Sequence, residues 1–443
     1  MNRHNVIYWL VVFLLLPASV AAQARPLPGQ DVQQIYERLL PQIDKIPMFD
    51  HHAHPGFADD PDVDAMASPP GSAALRERDT NPELIAAAKA LFGYPYDDLS
   101  PDHSKWLVQK KAELKKQLGR EYFSSILDKL KIEQGVANRA MMADYLDPKR
   151  FVWVFFADSF MWPFDNQHER SRNADEEIYI PLQEKMLHRW MQQENVAKLP
   201  SNLDDYLRFV TRTLEDNQKK NAIAMKFEVA YFRTTRFSDP PKQRAAEIYE
   251  KYVKGGVPSE EEYRTFQDYV FRYLVLEGGR LHLPVHIHSA VGIGDYFNLS
   301  ESNIMNLENI LRDPRYSGNT FVMIHGGYPY DRQAIWLAAA KNVYLETSET
   351  EILLYPSEFK KLLKQWLETF PEKITFGTDC FPYNEILGAE ESYWLGVESS
   401  RTALAAALAE MISEGEVTEA QALAMAHGYL HDNAVGLYGG KVH

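Results

Sequence analysis

An α/β fold built on a parallel sheet, either a closed barrel or a doubly wound sheet, follows from three features of this 443-residue sequence. Short, continuous apolar runs alternate with longer amphipathic ones. The short runs lack the in-out alternation of a half-exposed strand, so both faces must be covered. Most are followed at once by a polar or Gly-rich turn, where the strands of such folds present their chemistry.

Taken in order, the predicted strands are Pro47–His51, Phe151–Ala157, Ala222–Val229, Leu283–His288, Phe321–His325, Val343–Leu345 and Ile374–Phe376. Aliphatic and aromatic side chains dominate them, as a pleated buried surface requires. Helices are predicted at Gln243–Lys254, Glu260–Glu277, Ile304–Arg312, Asp331–Ala340, Glu358–Thr369 and Arg401–Ser413 from their apolar residues three and four apart. Two stretches, about 56–149 and 160–220, hold more helix than a βα unit needs and read as insertions over one end of the sheet. Ahead of all this, Arg3 and His4 precede the apolar run Val6–Leu16 and the small residues Val20, Ala21, Ala22 and Ala24. That is the pattern of a secretory signal cleaved after residue 22 or 24, too short for a stable membrane span. A single domain over 23–443, periplasmic or secreted, is the expectation.

Charge and cysteine content narrow the function. With 47 Lys+Arg against 62 Asp+Glu, the chain carries a net charge of −15 and lacks the basic excess of a nucleic-acid binder. The one cysteine, Cys380, forms no intramolecular disulfide, and a thiolate metal site is excluded. The acidic excess reads as a solvated surface around a locally positive pocket. A homo-oligomer is left open.

Polar residues at strand ends carry the chemistry. Asp50, His52 and His54 fall on alternate positions and are expected on one face. An H-x-H pair alone is equally compatible with surface histidines. Four further ends change that: His286 and His288 close one apolar run, His325 follows another, Asp379 a third, and Lys226 sits inside a fourth. Buried ionisable groups are costly unless paired or metal-bound, so five in register call for a shared explanation. In a closed parallel barrel all these ends converge on one mouth, and a metal explains them together. Imidazole with carboxylate favours zinc, with Mn, Fe or Ni compatible. Such an ion lowers the pKa of bound water and polarises a carbonyl, and Asp379 could accept the water proton.

The ordered series Asp50-x-His52-x-His54, Lys226 with Tyr231 and Arg233 after it, Pro284-Val285-His286-Ile287-His288, Ile324-His325-Gly326-Gly327-Tyr328-Pro329, Gly377-Thr378-Asp379 and Asn433–Gly439 resembles the amidohydrolase superfamily. It is most similar to the amidohydrolase-related family and to the amidohydrolase-like domain fused to glutamine-synthetase-like proteins. The resemblance implies a distorted (β/α)8 TIM barrel with helical insertions over its C-terminal face. It implies one or two zinc ions held by His52, His54, His288, His325 and Asp379, joined by Lys226 only if that lysine is carbamylated. Asp379 would shuttle the proton, and His325 would bind a second metal or orient the attacked group. An unmodified Lys226 would instead meet a substrate carboxylate beside Arg233, with Tyr231 and His286 as further substrate contacts; His286 reads equally as a packed histidine.

Blander readings apply elsewhere. His51, His103, His168, His188, His282, His427 and His431 are read as structural or surface residues, and Cys380 as buried. Phe151–Trp162 is read as a strand and its exit, with Trp162 and Phe164 as candidates for a pocket mouth. Glu346 and Glu349 are assigned helix-start or surface roles ahead of substrate contact. The expected activity is an exported, metal-dependent hydrolase acting on an amide or related C–N bond of a small carboxylate-bearing molecule. The alternatives are non-oxidative decarboxylation or C–C hydrolysis at the same site, and a non-catalytic metal-containing envelope protein.

Overall fold

A computed structural model of the chain describes residues 31–64, 73–439 and 442. The expected signal segment lies outside them. Eight strands, β1 (Met48–Ala53), β2 (Ile132–Asn138), β3 (Phe151–Phe156), β4 (Ala222–Phe227), β5 (Val285–His288), β6 (Phe321–Ile324), β7 (Val343–Glu346) and β8 (Ile374–Thr375), form one parallel sheet in sequence order. Backbone bonds close it into a barrel: His51 N–H donates to Phe376 O (3.0 Å), Asp379 N–H to His52 O (2.8 Å) and His54 N–H to Cys380 O (2.8 Å). Of the two architectures left open by the sequence, the structure is the distorted (β/α)8 barrel.

Each strand is covered on both faces, which is why Phe151–Phe156 and Phe321–Ile324 tolerate unbroken apolar sequence. Crossover helices form where caps and amphipathicity agree. Asn202 accepts from Asp205 N–H at the start of Leu203–Lys219, and Ser259 accepts from Glu262 N–H at the start of Glu260–Leu281, whose first turn is acidic.

Two expectations need correction. The stretch 56–149 is not all insertion, because it contains β2; Glu133, Gln134 and Gly135 break the apolar run by which a strand is recognised. Likewise, 160–220 includes the ordinary β3-to-β4 crossover helix Leu203–Lys219. The second correction concerns β1. Between Asp50 and Ala53 it sets three residues against the two of Gly135–Ala137, a bulge that breaks the alternation of side chains. Asp50 therefore does not share the histidines' face. Its carboxylate accepts from Thr378 N–H (2.9 Å) and Thr378 Oγ1 (2.6 Å), next to Cys380 and Tyr393 on the outer side of the strand.

The barrel floor is apolar and closed by the C-terminal segment: Phe49, Val136, Val154, Ile223 and Ala224 pack with Ala434, Tyr438 and Val442. Just above, Tyr438 OH lies 2.6 Å from His51 Nε2 and 3.0 Å from His286 Nε2, and His51 Nδ1 lies 2.9 Å from Thr375 Oγ1.

Candidate active site

At the opposite end, where all eight strands point, a cavity of about 50 Å³ is lined by His52, His54, Lys226, His288, His325 and Asp379, together with Asp64, Glu228, Tyr231, Ile293, Glu349, Phe381 and Tyr383. A wider hollow of about 930 Å³ opens at the N-terminal ends of the strands beside Phe151 and Ala222, but no histidine lines it. The chemistry is at the small one.

Its geometry is tight. Asp379 Oδ1 lies 3.0 Å from His52 Nε2 and 3.3 Å from His54 Nε2. Donor atoms of His52, His325 and Asp379 all fall within 4.8 Å of one another, enough for a common ion. Lys226 Nζ is 3.4 Å from His52 Nε2 and 3.8 Å from Glu228 Oε1. Gly377 makes the close approach between β1 and the β8 exit possible: a Cβ there would come within 2.2 Å of Glu346 Oε1 and 3.0 Å of the His52 backbone nitrogen.

Hydrogen bonds fix the tautomers. A carbonyl only accepts, so His288 Nε2–H donates to Val291 O (2.5 Å) and His325 Nδ1–H donates to Ser348 O (2.9 Å). The remaining nitrogens, His288 Nδ1 and His325 Nε2, face each other at 3.1 Å. Burial holds the His288 ring well below the usual imidazole range and pushes His325 down to about 4, so both rings are neutral near pH 7. Two bare lone pairs at that separation repel unless a cation lies between them, and this donor set of nitrogens plus carboxylate suits a divalent ion. Burial alone would push the Asp379 carboxyl up, but hydrogen bonds from His52 and His54 and the neighbouring His325 outweigh it and hold the group well below the usual carboxylate range.

Backbone strain gathers here as well. His325 (φ 62°), Glu349 (φ 62°) and Asp379 (φ 46°) all adopt left-handed conformations. Each costs about 1–2 kcal/mol for a residue with a Cβ and persists only where the surroundings enforce it, a pattern common at functional sites.

The structure thus brings together His52, His54, Lys226, Tyr231, His288, His325 and Asp379. Two expected residues are elsewhere. His286 sits a layer below, against Tyr438 and His51, because two residues along β5 is one layer down the barrel. Arg233 is not a substrate contact: its guanidinium is buried and spent on Asp268 (2.7 Å) and Gln267 (3.1 Å), with Phe237 stacked on it. Trp162 and Phe164 pack in the core against Tyr263 instead of lining the mouth.

Glu349 does start a helix, Thr350–Leu353, but neither it nor Glu346 is a surface residue, since both are buried. Glu346 accepts from Ser348 N–H (2.7 Å) and Oγ (2.6 Å) and so holds the loop that meets His325; Glu349 lines the cavity, 3.7 Å from His325 Nδ1. Glu228 went unassigned although it follows Lys226 by two, the same spacing that separates His286 from His288. With Asp64, Glu228, Glu349 and Asp379 against Lys226, the pocket is acidic, not positive.

Residues 205–440 match the amidohydrolase family Amidohydro_2. The chain belongs to that family. It is thus an enzyme of the amidohydrolase superfamily, whose members typically bind divalent metals. It is 30% identical to Protein fluG of Emericella nidulans over 159 residues, which is 35% of this chain and 17% of that relative's length. Its barrel superposes on glucuronate isomerase from Caulobacter crescentus with a TM-score of 0.67 at 13% identity, covering 96% of this amidohydrolase and 99% of the isomerase. For uronate isomerase from Thermotoga maritima the TM-score is 0.59 at 13% identity, covering 91% and 97%. These similarities place the fold.

Among the described residues, no helix of the amidohydrolase is long and apolar enough to cross a membrane.

Proposed function

We propose that this amidohydrolase hydrolyses an amide or related C–N bond of a small molecule, with one or two divalent ions, zinc foremost, held by His52, His54, His288, His325 and Asp379. The observation that carries this reading is the pair of bare nitrogens on His288 and His325, 3.1 Å apart beside a carboxylate that stays ionised. A bound ion would supply Lewis acidity toward water and the scissile carbonyl. The chain's own part is then readable from its contacts. Asp379, at 3.0 and 3.3 Å from the two β1 imidazoles, is placed to take a proton from the attacking water and return it to the leaving nitrogen. The bonds from His288 to Val291 O and from His325 to Ser348 O lock both rings in the ligating tautomer. Burial of the site behind Tyr231, Phe381 and Tyr383 limits bulk water.

Lys226 is placed either to join the ligand set, if carbamylated, or to contact substrate as an ammonium. The residue 1–24 pattern supports export of a single 23–443 domain to the periplasm or beyond. N-terminal sequencing of the mature protein tests that part.

The decisive experiment is a screen of dipeptides, N-acyl amino acids and simple amides with zinc-loaded enzyme and with enzyme stripped by chelator. Amine or ammonia release that requires the metal supports hydrolysis. Carbon dioxide release without consumption of water would assign decarboxylation instead, and full activity after stripping would overturn the metal role.

A further inference from the structure

The cavity wall carries one cation and four carboxylates. Lys226 stands against Asp64, Glu228, Glu349 and Asp379 among the described residues.

One of those carboxylates has an oxygen without a partner. Glu228 is 4% exposed, and its Oε2 is buried without a hydrogen-bond partner. Oε1 is 3.8 Å from Lys226 Nζ, beyond hydrogen-bond length. Behind it, both Asp158 oxygens accept from the Glu228 backbone N–H at 2.9 Å, which fixes the start of the β4 exit loop while leaving the Glu228 side chain uncommitted. A buried carboxylate oxygen with no donor is costly, and an incoming donor removes that cost. Tyr231, Phe381 and Tyr383 also line the cavity, and the faces of aromatic rings attract cations.

Resting on the hydrolytic reading above, we propose that the substrate carries a protonated amine, and that Glu228 receives this ammonium group, with Asp64 and Glu349 completing an anionic cradle. The substrate class is then a small amide with a primary amine a few bonds from the scissile carbonyl. This replaces the carboxylate-bearing substrate expected from Lys226 and Arg233, whose second member is committed to Asp268.

The test uses three amides of one shape on zinc-loaded full-length enzyme: β-alaninamide, butanamide and succinamate, whose far ends are ammonium, methyl and carboxylate. Calorimetry reads binding and ammonia release reads hydrolysis. β-Alaninamide should bind about ten- to hundredfold more tightly than butanamide, with succinamate weakest. Glu228→Gln should erase that preference while zinc content stays the same. Equal binding of the three, a preference for succinamate, no binding of any, or a preference that survives in Glu228→Gln overturns the inference. The two readings fail separately: ammonia release without the amine preference sinks this one alone, and the preference without ammonia release sinks hydrolysis alone.

Discussion

The two ends of the barrel both bury histidines completely, yet they are built on opposite principles. On the floor the ring nitrogens turn toward hydroxyls: Tyr438 OH lies within hydrogen-bond length of both His51 Nε2 and His286 Nε2, and Thr375 Oγ1 of His51 Nδ1, while His286 Nδ1 is left without a partner. At the mouth the bonds run outward to backbone carbonyls of Val291 and Ser348 and leave bare nitrogens facing inward. Burial and residue type do not separate a structural histidine from a ligating one. The identity of the partner on the other nitrogen does.

The strongest way to break this comparison is at Asp379. Asp379→Asn keeps the shape but removes the base, and kcat should fall about 10³- to 10⁴-fold with an unchanged circular dichroism spectrum; retention of more than a tenth of the activity would remove Asp379 from the reaction. Chelation comes next. If the inward nitrogens hold an ion, stripping should lower unfolding free energy by about 4 kcal/mol at a thousandfold excess of metal over Kd, read as a fall in Tm that zinc restores. An unshifted Tm would mean the mouth is as self-sufficient as the floor. Tyr438→Phe probes the floor itself: it strips the shared hydroxyl from two buried imidazoles and should cost about 1–3 kcal/mol in denaturant melts, with KM for substrate unmoved. A shift in KM would show the floor and mouth acting as one unit.

A last test of the floor is in pH. Burial pushes the folded His51 down to about 3 from an ordinary value near 6.5. The unfolded chain therefore binds the extra proton first, so the stability from neutral His51 is fully present above about pH 6.5 and drains away as pH falls toward 3. A His51→Gln variant should lose this part of the acid dependence, so the stability gap between it and the parent should shift across that window; parallel pH curves would show that His51 does not titrate there.

Much of the mouth was legible because its residues terminate apolar strands: His52, His54, His288, His325 and Asp379 converge as the barrel topology requires. What escaped did so for local reasons. Strand β2 was hidden by Glu133, Gln134 and Gly135, which interrupt the apolar run by which a strand is recognised. Asp50 was assigned to the wrong face because a bulge leaves no mark in a period-two pattern. Arg233 was misread because Asp268, which consumes it, sits 35 residues further along on a different element. Glu228 carried a readable signal, its spacing of two from Lys226, and the structure places it in the cavity wall 3.8 Å from that lysine.

The closing of the barrel floor by Tyr438 also sets an order of events during synthesis. Strand β1 leaves the ribosome early, yet its His51 finds its hydroxyl partner only when residue 438 has been made, and its backbone partner at Phe376 arrives hardly sooner. β1 can pair with β2 early, but its second edge finds partners only far along the chain, a long-range requirement that slows assembly. A nascent chain therefore stays without a closed barrel until Phe376–Cys380 have been made, and its floor stays without the shared hydroxyl until Tyr438 follows.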